Sequence, residues 1–165
     1  MRKLLISAFA LFSAITVYAQ NQELPTTMVR DINGKQIPFN ETFEKGKVTL
    51  VSFWACWCIP CKQEIKNIKT KLPEWQKEVD FNYMAVSIDD SRNTAMVKTY
   101  SKSQGWTFPV YLDPNSDLKR SLNFQNVPYS MLVDRNGNIV FEHTGYEEGS
   151  ENQLFAKVKE IGQKK

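Results

Sequence analysis

Trp54-Ala55-Cys56-Trp57-Cys58-Ile59-Pro60-Cys61 is the stretch that decides how this chain is read. Two cysteines stand two residues apart, with a proline just before the second, an arrangement that suits the first turn of a helix. The run ahead of them, Val48-Thr49-Leu50-Val51-Ser52-Phe53-Trp54, is nearly continuous in apolar and β-branched residues, the pattern of a strand buried on both faces. Behind them, Ile65, Ile68 and Leu72 recur at helical spacing. The pair is therefore expected where a buried strand hands over to a helix. Cys58 there exposes its sulfur at the helix N-terminus, where unpaired N–H groups and the helix dipole favour a thiolate. Cys61, one turn inward, is the more buried thiol. The asymmetry suits disulfide exchange: Cys58 attacks a substrate disulfide, and Cys61 then attacks Cys58 and releases reduced substrate. Ile59 carries no ionisable group and cannot tune the thiol by charge.

Outward from this centre, residues 28–32 and 36–39 flank Asn33-Gly34, which predicts a hairpin closed by a two-residue turn. Residues 20–27 read as a polar lead-in and 40–46 as a loop. Pro73 is expected to break or kink the helix that follows the cysteines, with one further turn to about residue 78. Strands are expected at 81–88, 108–112, 130–133 and 139–144, the last two around a turn at 134–138. Helices are expected at 94–103, 116–122 and 151–161. Strands alternating with helices, then a hairpin and a closing helix, predict an α/β architecture with a central mixed sheet. A chain of 165 residues is long enough for one hydrophobic core, and residues 20–165 are read as one domain.

Residues 1–19 are read apart from that domain. Arg2 and Lys3 precede an apolar run over residues 4–17, and Val17-Tyr18-Ala19 places small or β-branched residues where a signal peptidase cuts. The run is shorter than the roughly 20 residues of a spanning helix, so cleavage near Ala19 is expected, and with it a periplasmic location. The formal net charge of +3 falls to near neutrality once Arg2 and Lys3 are removed. No basic, aromatic-interleaved run points to nucleic acid. All three cysteines lie within residues 56–61, so they cannot staple distant parts of the fold; in an oxidising compartment they are there for chemistry.

Trp54-Ala55-x-Trp57-Cys58-x-Pro60-Cys61 resembles the thioredoxin active-site signature, and residues 28–161 resemble the TlpA/ResA-like branch of exported thioredoxin-fold proteins. The resemblance implies a thioredoxin fold with an N-terminal β-hairpin and a helical insertion at about residues 92–112. It implies that Pro128 is a cis-proline facing the cysteines and that the Val127 backbone binds a substrate segment in β-like fashion. Trp57, Ile59 and Pro60 would complete the substrate surface, and Gly145 falls where the family has a glycine near that surface. Glu64, on its own an ordinary helix carboxylate, becomes by resemblance a buried acid that moves protons to and from Cys61. Thioredoxins proper carry a buried aspartate six residues before the first cysteine; here that position is Ser52, which favours the exported branch. The implied activity is that of a monomeric thiol–disulfide oxidoreductase with no cofactor beyond its redox-active disulfide. It would reduce exported proteins, apocytochrome thiols among them, with electrons from a membrane donor.

Cys56 stands outside the pattern, either as a tolerated small side chain or as a third thiol. The alternative function is a periplasmic Cu(I) chaperone using Cys56, Cys58 and Cys61, perhaps joined by His143, since soft thiolates select Cu(I). His143 alone reads as an exposed strand histidine. A peroxidase of the peroxiredoxin type needs a Thr or Ser shortly before its cysteine in a proline-bearing loop, and that arrangement is missing.

Overall fold

The structure is a computed structural model and describes residues 22–163; the signal segment expected at residues 1–19 lies outside the described residues. In chain order the elements are β1 (Gln22–Glu23), β2 (Met28–Asp31), β3 (Gln36–Pro38), a 3-10 turn (Phe39–Thr42), β4 (Val48–Trp54), α1 (Ile59–Glu78), β5 (Phe81–Ser87), α2 (Thr94–Ser103), β6 (Val110–Leu112), α3 (Asp117–Ser121), β7 (Tyr129–Val133), β8 (Asn138–Thr144) and α4 (Ser150–Gln163).

The eight strands form one mixed sheet in the order β1-β8-β7-β4-β5-β6-β2-β3. β4 lies between parallel β5 and antiparallel β7, and every one of its residues is buried. This is why it reads as an unbroken apolar run rather than an alternating one. Its side chains still alternate between faces. Leu50 and Trp54 join one cluster with Ile65, Ile68 and Leu72 of α1, Val97 of α2 and Leu154 and Phe155 of α4. Val51 and Phe53 join the other with Phe39 of the 3-10 turn and Leu118 of α3. Helices thus cover both faces, and the expected insertion takes form as α2 followed by β6.

Four local expectations are corrected. α1 runs unbroken through Pro73. Proline removes the bond to the Lys69 carbonyl, but Leu72 and Trp75 on either side are buried, and Trp75 stacks on Phe155 with ring centroids 4.5 Å apart. The β2–β3 turn is wider than two residues. A two-residue turn of type I′ needs positive φ at both positions, yet only Gly34 has it (φ 92°). The Asp31 carboxylate accepts the N–H groups of Asn33 and Lys35 at 2.8 and 2.9 Å and holds the wider form. Within the polar lead-in, Gln22 and Glu23 pair with Asn138 and Ile139 of β8. The loop at 40–46 begins with the 3-10 turn, whose Phe39 is fully buried.

Candidate active site

Cys58 and Cys61 form a disulfide with Cα atoms 5.3 Å apart, and Cys56 is a free thiol. Cys58 is the N-cap of α1, and its Sγ accepts the Cys61 N–H at 3.3 Å. A side-chain acceptor at this position satisfies a helix N–H that otherwise has no partner. Pro60 sits in the first turn, where a missing N–H costs little, and no acidic residue shares that turn. The expectation that Cys58 displays its sulfur needs correction for this oxidised form. Cys58 is only 4% exposed, close to the 1% of Cys61, because its sulfur is turned inward onto the helix. What faces solvent is the rim: Trp57 is 67% and Ile59 75% exposed. Trp54 is fully buried beneath, with Tyr100 and Trp106 rings against it.

Glu64 is one helical turn beyond Cys61, so both lie on the same face of α1. That face meets the sheet, and Glu64 is 2% exposed. Its Oε1 accepts the Ser130 hydroxyl at 2.6 Å and, at a longer 3.4 Å, the Ser52 hydroxyl. Ser52 and Ser130 are paired residues of the β4–β7 ladder, which puts both hydroxyls on one face. Burial pushes the Glu64 carboxyl up to about 7; the two hydroxyls pull against this, and the Glu151 charge adds to it.

The Val127–Pro128 peptide bond is cis. Pro128 directly precedes β7, whose Tyr129 pairs with Phe53 of β4, so Val127 and Pro128 sit at the same end of the sheet as the cysteine motif. The Pro128 carbonyl accepts the Gly145 N–H at 2.8 Å, with Gly145 at φ 90°. At that φ a side chain would be strained.

Three participants could not be singled out from the sequence. Asp89, 2% exposed, accepts the Cys56 N–H and the Ser87 hydroxyl, both at 2.8 Å, and so pins the loop that carries the cysteines. Burial, followed by the Asp89 charge, pushes the Cys56 thiol up to about 12. Ser130 is the principal partner of Glu64, and the buried Tyr83 hydroxyl lies beside Ser52. Their sequence signal is slight: one polar residue inside an otherwise apolar strand or at its end. His143 pairs across from Ser130 on β8 and is half-buried. Among the described residues no group of three or more His, Cys, Asp or Glu side chains is placed to hold a metal ion.

Comparison with known proteins agrees with this geometry. The family model described as AhpC/TSA matches residues 20–142. A thiol-disulfide oxidoreductase ResA of Bacillus thuringiensis subsp. konkukian is 27% identical over 85% of this chain and 77% of its own. Among solved structures, a thioredoxin-like protein from Porphyromonas gingivalis superposes with a TM-score of 0.76 at 39% identity, covering 87% of this chain and 95% of that one. StoA from Bacillus subtilis does so with a TM-score of 0.62 at 25% identity, over 79% and 93%. The α/β fold with its mixed sheet and helical insertion is thus the thioredoxin-like fold.

Proposed function

The chain belongs to the AhpC/TSA family and is a thiol–disulfide oxidoreductase; we propose that it acts outside the cytoplasm, reducing disulfides of exported proteins through a Cys58–Cys61 dithiol/disulfide cycle. The observation that carries this reading is the disulfide at the start of α1, with Cys58 as the capping residue.

In the reduced protein the Cys58 thiolate attacks one sulfur of the substrate disulfide. An S–S bond to Cys58 forms, and the other substrate sulfur leaves as a thiolate. Cys61 gives its proton to Glu64 and attacks Cys58 Sγ. The mixed disulfide breaks, the second substrate sulfur leaves, and the Cys58–Cys61 disulfide closes. Two electrons have passed to the substrate, and the protein is left in the oxidised form seen here. Two electrons from a membrane donor return it to the dithiol, with no separate cofactor. The apolar rim of Trp57, Ile59 and Pro60 together with the backbone beside cis-Pro128 offers an unfolded segment a surface and an edge. Apocytochromes are one such substrate class, and the residue 1–19 segment supports a periplasmic setting.

The test is a pair of substitutions assayed by reduction of a protein disulfide such as insulin. Cys58→Ser should abolish turnover. Cys61→Ser should accumulate a mixed disulfide, located by peptide mapping at Cys58. A mixed disulfide mapped to Cys56, whose thiol burial and the Asp89 charge hold as S–H, would sink the assignment.

A further inference from the structure

The cluster beneath the cysteines contains more than the carboxyl group. Glu64 reaches from α1 onto three adjacent strands, where it meets Ser52 of β4, Ser130 of β7 and the neighbourhood of Tyr83 of β5. Ser52 and Ser130 are themselves 3.3 Å apart and almost fully buried. Both hydroxyls converge on the same oxygen, Oε1. The 2.6 Å separation from Ser130 is the length of a hydroxyl bonded to an ionised carboxylate, whereas 3.4 Å to Ser52 is a weaker contact.

We propose that Ser130, backed by Ser52, is a positioning residue for Glu64: it clamps Oε1, fixes the carboxyl group beneath Cys61 and sets how readily that group gives up and takes back a proton. The inference rests on the proton-transfer role given to Glu64 above and says what governs it. A donor hydroxyl favours the ionised carboxyl group, while burial favours the neutral one. The two effects oppose each other, and the pull of Ser130 keeps the midpoint within reach of neutral pH. Without it, burial would be opposed only by the weaker Ser52 contact, and a smaller fraction of Glu64 would be ionised and able to accept the Cys61 proton near neutral pH. Ser52 can donate to Glu64 or to Ser130 but not to both at once, so it supports whichever arrangement Ser130 adopts.

The other groups facing this carboxyl group are few. Tyr83 on β5 is fully buried, and burial raises its phenol, so it remains neutral. Glu151 on α4 raises the Glu64 midpoint by its charge but is tied to Lys71 at 2.6 Å. His143 on β8 stands across the ladder from Ser130. Cys61 shares the α1 face and is locked in the disulfide when oxidised.

The experiment is an NMR titration of side-chain-labelled glutamate in the oxidised full chain, comparing wild type with Ser130→Ala, Ser130→Thr and Ser52→Ala. Ser130→Ala should raise the Glu64 midpoint by about one pH unit, the loss expected for one hydrogen bond to a charged group. Ser130→Thr keeps the hydroxyl and should restore the wild-type midpoint; Ser52→Ala should move it less than Ser130→Ala. An unchanged midpoint in a folded Ser130→Ala protein overturns the clamp, as does an equal shift in Ser130→Thr. Alkylation of Cys61 against pH in the reduced protein separates this from the parent reading. The inflection that Glu64 imposes on that profile should move up in Ser130→Ala and vanish in Glu64→Gln. A shifted carboxyl midpoint with no Glu64-dependent inflection retains the clamp and removes the proton-transfer reading instead.

Discussion

Glu64 costs the fold stability, and the cost has a defined pH window. Its ordinary value is 4.5, and burial raises it to about 7 in the folded protein. Below pH 4.5 the group is protonated whether the chain is folded or not, and it imposes no penalty. Between 4.5 and 7 the unfolded chain ionises first, so stability falls as pH rises; above 7 the penalty is constant. A shift of this size corresponds to up to about 3 kcal/mol. Glu64→Gln should therefore stabilise the oxidised protein at pH 8 and make almost no difference at pH 4.5, as measured by urea unfolding at both values. A variant less stable than wild type at pH 8 would show that Glu64 is not strained by its surroundings. A protein that keeps such a residue does so for a reason other than stability, which is what a proton-transfer group predicts. Cys56 is the opposite case: burial and Asp89 hold its thiol neutral, so a third cysteine can sit inside the motif without joining the cycle.

Among the elements, α3 shows how a buried acid can organise a short helix. Asp113 is 1% exposed, and its carboxylate accepts the N–H groups of Leu118 and Lys119 at 3.2 and 2.9 Å. Ser116, at the helix start, has φ 57° and makes no side-chain cap of its own. Asp113→Ala should leave those donors unpaired and cost about 2 kcal/mol in chemical denaturation. A loss under about 0.5 kcal/mol, the range of a neutral surface change, would place the cap elsewhere. Asp113-Pro114-Asn115 directly precedes the helix expected at 116–122, but that Asp113 caps it is visible only in the fold. The same division runs through the chain. β4 and α2 have the bounds read from their patterns, because a seven-residue apolar run and a ten-residue amphipathic period are strong local signals. β1 has two residues, too few for any period, and exists only because β8 offers an edge. Pro73 signals a break on its own, and burial of Leu72 and Trp75 overrides it.

At the scale of the whole molecule, the sheet order brings distant parts of the chain to one site. Glu64 and Ser130 are 66 residues apart in sequence and 2.6 Å apart in space; Cys56 and Asp89 are 33 apart and meet at 2.8 Å. The Cys58–Cys61 motif was legible because its residues are contiguous, and Glu64 by the family pattern, whereas Ser130, Tyr83 and Asp89 were not, because they come from β7, β5 and the segment after β5. Those surroundings also bear on the direction of electron flow. Groups that stabilise a thiolate favour the reduced form and make a disulfide more oxidising. Here Ile59 and Pro60 supply no positive charge, and the buried carboxyl groups of Glu64 and Asp89 oppose added negative charge nearby. The helix N-terminus and the charge of Lys62, which already acts on the Cys56 thiol, are the stabilising influences that remain. The Cys58–Cys61 reduction potential, measured by equilibration with glutathione or a dithiol buffer, tests the reductase reading most directly. A reducing value is expected, about −200 to −270 mV, the range of glutaredoxins and thioredoxin; a value near about −120 mV, that of a strong disulfide donor, would contradict the reductase assignment.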